Sequence, residues 1–176
     1  YPELMAERDA TLRMHGIRNE VESIQLMITP SVNVNSFDFT MYDLKNAAGD
    51  VLAADTFEIF AQWYTEVTES YNTDAYYGFY SDALVPLENY KTKRYNTIDA
   101  GRNQGLWVHA NIPADQAAGL YTGSGVLIVD GKEYEIPFEV TVYDADMPQE
   151  NNMRSAIAVW YDYIAKGVRA VARLIR

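Results

Sequence analysis

The sequence predicts an all-β fold, an antiparallel β-sandwich with one long structured loop and a C-terminal amphipathic helix. Three observations predict it. Short segments alternate apolar and polar residues with a period of two, as strands with one buried face do. Gly, Pro and Asp signals punctuate these segments, the spacing of strands joined by tight turns. The chain also carries 14 tyrosines in 176 residues, and aromatic and β-branched side chains favour sheets.

Glu20–Thr29 places Ile24, Leu26 and Ile28 on one face of a strand. Val34–Tyr42 alternates through Phe37, Phe39 and Met41, and Ala47-Ala48-Gly49-Asp50 then turns the chain. Phe57–Tyr71 reads as one long strand or two broken ones. Asn72–Ala100 has little periodicity, several tyrosines (Tyr76, Tyr77, Tyr80, Tyr90, Tyr95) and Pro86, and is expected to be the long structured loop. Leu106, Val108, Ala110 and Ile112 alternate with polar or bulky neighbours up to Pro113, and Ala114–Gly119 should be a turn or a short helical loop. Gly125–Val129 and the alternating run Tyr134, Ile136, Phe138, Val140, Val142 flank Asp130-Gly131, the strongest short hairpin signal in the chain. Pro137 cannot donate to a ladder, so its strand should lie at an edge or carry a bulge there.

The last segment changes period. Ile157, Trp160, Tyr161, Ile164, Val168 and Val171 recur every three or four residues, and Ser155 is placed to cap the N-terminus. Ser155–Ile175 is therefore expected to be a helix, and the chain divides into a sandwich domain at 1–150 and an appendage at 151–176. The same appendage also reads as the truncated start of a further domain.

Composition narrows the function. Net charge is −11 and the sequence pI is about 4.5, so a nucleic-acid backbone is repelled and no nucleic-acid partner is expected. The longest uninterrupted apolar run is Ala156–Tyr161, too short to span a membrane. The absence of cysteine excludes disulfides, thiolate metal sites and thiol nucleophiles. His15 and His109 are the only histidines, and neither has metal-ligand spacing, so no metal or cofactor is expected. Gly123-Ser124-Gly125 is not a nucleophile elbow. Arg18-Asn19-Glu20 either binds a polar ligand or ties down the start of a strand, and the second reading is the more economical. Trp107 is read as a core or inter-domain anchor. The tyrosines of residues 71–95 offer flat faces for sugar rings, with Asp82 beside them for a hydroxyl; the competing roles are packing of the loop on the sheets and, for Asp82, capping of the turn. Tyr76, Tyr77, Tyr80 and Asp82 are the candidate glycan contacts.

Four segments in order resemble one known family. They are Gly16-Ile17-Arg18-Asn19-Glu20-Val21-Glu22-Ser23-Ile24-Gln25; Tyr80-Ser81-Asp82-Ala83-Leu84-Val85-Pro86-Leu87; Gln104-Gly105-Leu106-Trp107-Val108 with Ile112-Pro113-Ala114-Asp115 and Gly119-Leu120-Tyr121-Thr122-Gly123; and Tyr143-Asp144-Ala145-Asp146-Met147-Pro148. Over about residues 10–150 the chain resembles the N-terminal domain of glycoside hydrolase family 123 and related bacterial proteins. The resemblance implies a β-sandwich beside a catalytic barrel, with substrate-assisted chemistry run by an adjacent Asp-Glu pair in that barrel. This sequence has no Asp-Glu or Glu-Asp dipeptide, so no catalytic residue carries over. The resemblance therefore implies a non-catalytic accessory domain, bacterial and extracytoplasmic, partnered by the barrel of a parent protein or by a second copy, with a glycan as the candidate ligand. The alternative is a stand-alone carbohydrate-binding or surface interaction module.

Overall fold

A computed structural model describes residues 11–69 and 77–150. Ten strands and one short helix follow in order: β1 (Leu12–Arg18), β2 (Val21–Ile28), β3 (Phe37–Met41), β4 (Leu44–Lys45), β5 (Val51–Leu52), β6 (Phe57–Val67), β7 (Gly78–Pro86), α1 (Leu87–Thr92), β8 (Gln104–Asn111), β9 (Gly119–Val129) and β10 (Lys132–Asp146). They form two sheets. In the first, β10 lies between β1 and β9, and the far side of β9 pairs with β3 and β4 in turn, with β5 beyond β4. The second runs β2-β8-β6-β7. Strands of both sheets bury their alternate residues in one core, with Phe37, Phe138, Val140 and Tyr121 from the first and Leu106, Val108 and Ala61 from the second.

The predicted hairpin is present. Val129 pairs with Lys132 across a two-residue turn, and Asp130 and Gly131 have φ of 48° and 80°. Positive φ at both positions is the type I′ turn that matches the twist of the flanking strands. The Asp130 carboxylate also accepts the Asn35 and Ser36 amides at 2.9 and 2.8 Å, which fixes the start of β3. Phe57–Val67 is one strand, and the turn at residues 47–50 joins β4 to β5.

Three expectations need correction. The sheets are not purely antiparallel, because β1 pairs with β10 in parallel, Leu12 opposite Phe138 through Gly16 opposite Val142. Nothing local announces a pairing across more than a hundred residues. The described part of 72–100, from Tyr77 on, is not a long loop: β7 and α1 occupy Gly78–Thr92, and Ile98 bridges Val34. A bulge hides the pattern, since Trp63 pairs with Ala83 but Tyr64 pairs with Ser81, leaving Asp82 as the extra residue and reversing the alternation there. Pro137 sits neither on an edge strand nor at a bulge. It pairs with Ser124 on β9, one residue before the described ladder with β1 begins at Phe138, so no donor is asked of it on that side. The helix expected at Ser155–Ile175 lies outside the described residues, as does the whole 151–176 segment.

Close approach demands a glycine at the centre of the second sheet. Gln62 on β6 lies flat over Gly105 on β8; its amide oxygen accepts from Gln25 Nε2 at 2.8 Å and from the Tyr64 hydroxyl at 3.2 Å, and that hydroxyl accepts the Gly105 amide at 3.0 Å. A Cβ on Gly105 would overlap the Gln62 amide. The network ties β2, β6 and β8 together, and Gln62 is only 4 % exposed. Gly105→Ala should therefore cost about 1–3 kcal/mol, the penalty for buried polar groups left without partners, read as a lower urea midpoint with an unchanged slope.

Candidate functional site

The predicted glycan contacts fall on the edge of the second sheet. Tyr77 stands just before β7, and Tyr80 and Asp82 lie on it; Tyr76 is outside the described residues. Tyr77 and Tyr80 are exposed. They do not form one platform with Asp82, which is the bulge residue and accepts a long 3.4 Å hydrogen bond from Thr65 Oγ1. The other tyrosines of the region divide. Tyr90 is buried against Phe37 and reaches Gln104 Oε1 at 3.3 Å. Tyr95 packs edge-on against Trp63 at 5.2 Å between ring centroids and against Tyr90 at 5.8 Å. Burial pushes the Tyr90 hydroxyl pKa up, with Tyr64 nearby adding to it. Packing therefore accounts for Tyr90 and Tyr95, while Tyr77 and Tyr80 remain at the surface.

Beside them is a groove of about 500 Å³ lined by Tyr64, Phe79, Asp99, Arg102 and Asn103, with Thr97, Ile98, Gly101 and Gln104 completing its floor. The Arg102 guanidinium lies 4.7 Å over the Phe79 ring. Burial raises the Tyr64 pKa, and the Gly105 amide lowers it less, so the phenol stays neutral across the physiological range. The groove thus presents the Phe79 ring with the Arg102 guanidinium laid over it, one carboxylate and amide groups. That set can hold a polyol by hydrogen bonds. Sequence reasoning missed Phe79, Arg102 and Tyr64 because they come from β7, the loop before β8 and β6, and only the pairing of those strands unites them.

Arg18-Asn19-Glu20 have the structural role. At this corner the chain passes from the first sheet to the second. Arg18 Nε meets Asp146 Oδ1 at 2.6 Å, and Arg18 Nη1 meets Asp144 Oδ1 at 3.0 Å. Asn19, at φ 61°, donates from Nδ2 to the Met147 carbonyl at 3.0 Å. Glu20 accepts the Ile17 amide at 2.8 Å. Hydrogen bonding from Arg18 holds the Asp146 carboxyl below the usual aspartate range, outweighing a small opposing effect of desolvation.

The two histidines serve different faces. His15 stacks on Tyr143 at 6.1 Å, on the first sheet, and His109 packs on Phe60 at 4.8 Å, on the second. Among the described residues no group of three His, Asp or Glu side chains is arranged to hold a metal. Trp107 is half-buried on the outer face of the second sheet, opposite the side that faces the core.

A family model described as the glycoside hydrolase 123 N-terminal domain matches residues 1–129. Among solved structures, a family 123 glycoside hydrolase from Clostridium perfringens, analysed for glycolipid glycan hydrolysis, is similar with a TM-score of 0.64 at 19 % identity, over 78 % of this chain and 24 % of that one. The chain therefore spans about a quarter of that hydrolase's length. The CooA pilin subunit of enterotoxigenic Escherichia coli gives a TM-score of 0.37 at 13 % identity, over 76 % of this chain and 88 % of that one. No curated protein matches.

The corner yields a pH prediction. A depressed aspartate pKa stabilises the fold fully above the ordinary value of about 3.9 and progressively less as pH falls toward the depressed one. In Arg18→Gln the Asp146 carboxyl should titrate near the ordinary value by NMR, and the gap in melting temperature between the two proteins should shrink below about pH 4. An Asp146 midpoint that is the same with and without Arg18 contradicts this account.

Proposed function

This chain belongs to the family of glycoside hydrolase 123 N-terminal domains, and from that membership we propose that it is a non-catalytic β-sandwich accessory domain of a bacterial, extracytoplasmic glycan-hydrolysing protein. Its role is to support and shape a catalytic barrel. The observation that carries the reading is the family match over residues 1–129. The test is direct. The purified chain, incubated with chromogenic N-acetylhexosaminides, should release no more chromophore than buffer. Turnover that vanishes when a single carboxylate such as Asp99 or Asp82 is replaced by its amide would overturn the proposal.

A second reading is favoured by the groove beside Tyr77 and Tyr80. In it the domain also touches glycan, with Tyr76, Tyr77, Tyr80 and Asp82 as the candidate contacts. Tyr80→Ala should then weaken glycan binding on an array by about two- to tenfold, the worth of one aromatic contact of roughly 0.5–1.5 kcal/mol, with the melting temperature unchanged. A fall in melting temperature with unaltered binding assigns the tyrosines to packing instead.

A further inference from the structure

A second hollow lies where α1 meets β6 and β7. It measures about 290 Å³, and its lining includes Trp63, Tyr90, Tyr95, Asn89 and Lys93. It shares no residue with the groove beside Phe79 and Arg102. The three rings are fixed against one another. Trp63 meets Tyr95 at 5.2 Å between centroids and 67° between planes, and both meet Tyr90 edge-on, at 6.2 and 5.8 Å. Tyr90 is buried, with its hydroxyl on Gln104. Tyr95 is returned toward α1 by a turn in which Arg94 takes φ 57° and the Tyr95 amide donates to the Tyr90 carbonyl at 3.1 Å. Trp63 stands opposite Ala83 on β7, a side chain too small to cover an indole. Packing thus holds both outer rings in place and still leaves Trp63 40 % and Tyr95 49 % exposed. Rigid aromatic faces bordering a hollow suit the C–H face of a sugar ring. The volume lies at the small end of ligand sites, which run from about 300 to 1,000 Å³, so it matches one ring and not a long chain.

Charge narrows the ligand. Residues 87–95 carry Lys91, Lys93 and Arg94 against Glu88 alone, a net of +2 in a chain whose total is −11. Lys91 takes both nearby carboxylates, Asp38 at 2.6 Å and Glu88 at 2.9 Å. Among the described residues, Lys93 and Arg94 form no ion pair, and the Asn89 side chain makes no hydrogen bond. We propose that this hollow binds an acidic sugar of a glycan, its ring against the Trp63–Tyr95 corner, its carboxylate or sulfate facing Lys93, and a hydroxyl bonded to Asn89. An aromatic corner alone would equally take an apolar side chain of a partner protein; the unpaired cation beside it selects the acidic sugar. The site does not depend on Tyr77 or Tyr80, so the two glycan readings stand or fall separately.

The full 176-residue chain should be applied to an array of uronate-bearing, sialylated, sulfated and neutral oligosaccharides, which also tells carboxylate from sulfate. The tightest acidic probe is then titrated by calorimetry beside its carboxyl-reduced or desulfated form. The acidic form should bind about tenfold more tightly than the neutral one, and added salt should narrow the gap. Lys93→Glu should weaken the acidic probe about tenfold or more with an unchanged melting temperature. Tyr95→Ala should weaken it about three- to tenfold, and Tyr80→Ala should leave it unchanged. Lys93→Glu and Asn89→Ala, both at exposed positions, carry the test should Tyr95→Ala fold poorly. Binding of no acidic glycan, equal binding of acidic and neutral forms, full binding in Lys93→Glu, or binding lost in Tyr80→Ala and kept in Tyr95→Ala would each overturn the proposal.

Discussion

The corner at Arg18–Glu20 sets the relation between nearly all other parts of the fold. β1 runs beside the last strand of the first sheet, and β2 starts the second sheet three residues after β1 ends. The backbone changes sheets at Asn19, which adopts φ 61°, a left-handed conformation that asparagine tolerates better than most residues. At the same point Arg18 grips Asp144 and Asp146, and Asn19 grips Met147. The start and the end of the described chain are thereby fastened at one place. Gly16 is part of the same arrangement, because a Cβ there would stand 2.5 Å from Ile112 Cδ1. The side chain it lacks is the room that lets the first sheet approach the end of β8.

How much of this is legible in the sequence depends on the range of each interaction. Asp130-Gly131 specifies its hairpin within two residues, and the alternation on either side fixes which residues share a face, so Phe138, Val140 and Val142 fall together and are all buried. β8 is equally plain through Leu106, Val108 and Ala110. The partner of β1 is not, because parallel pairing with β10 depends on the corner and not on any nearby residue. β7 escapes for the opposite reason. Its signal is local but broken, since Asp82 inserts one residue and shifts Tyr80 and Phe79 out of phase with Ala83 and Val85. Only a period-two reading that allows one insertion at an acidic residue finds it.

The candidate site shows the same division. Residue type singles out Tyr77, Tyr80 and Asp82, and the structure places them along one strand edge without gathering them around a common centre. The groove beside them joins Tyr64, Phe79, Asp99 and Arg102, and no spacing in the sequence links these four. Their proximity is a product of β6 pairing with β7 on one side and β8 on the other. Residue type thus locates the neighbourhood, and strand order supplies the rest. Arg18-Asn19-Glu20 reverse the pattern: polar side chains that could equally form a ligand site prove to have every named partner within the fold.

The outer faces carry this asymmetry to the level of the whole molecule. A strand whose inner face is buried has freedom only in its outer residues, so these report what lies outside the core. On β10 they are Glu133, Glu135, Pro137, Glu139, Thr141 and Tyr143, mostly polar, as expected for a face left in water. On β8 they are Trp107 and His109, with Phe60 of β6 packed on His109 at 4.8 Å. Beneath them the Gln62 amide is buried and hydrogen-bonded, although it lies on the side away from the core. Burial on an outer face requires neighbouring side chains to close on it, and Gln25 and the Tyr64 hydroxyl both reach the Gln62 amide oxygen. The second sheet thus packs side chains on its outer side as well, around Gly105, where a Cβ would displace the Gln62 amide.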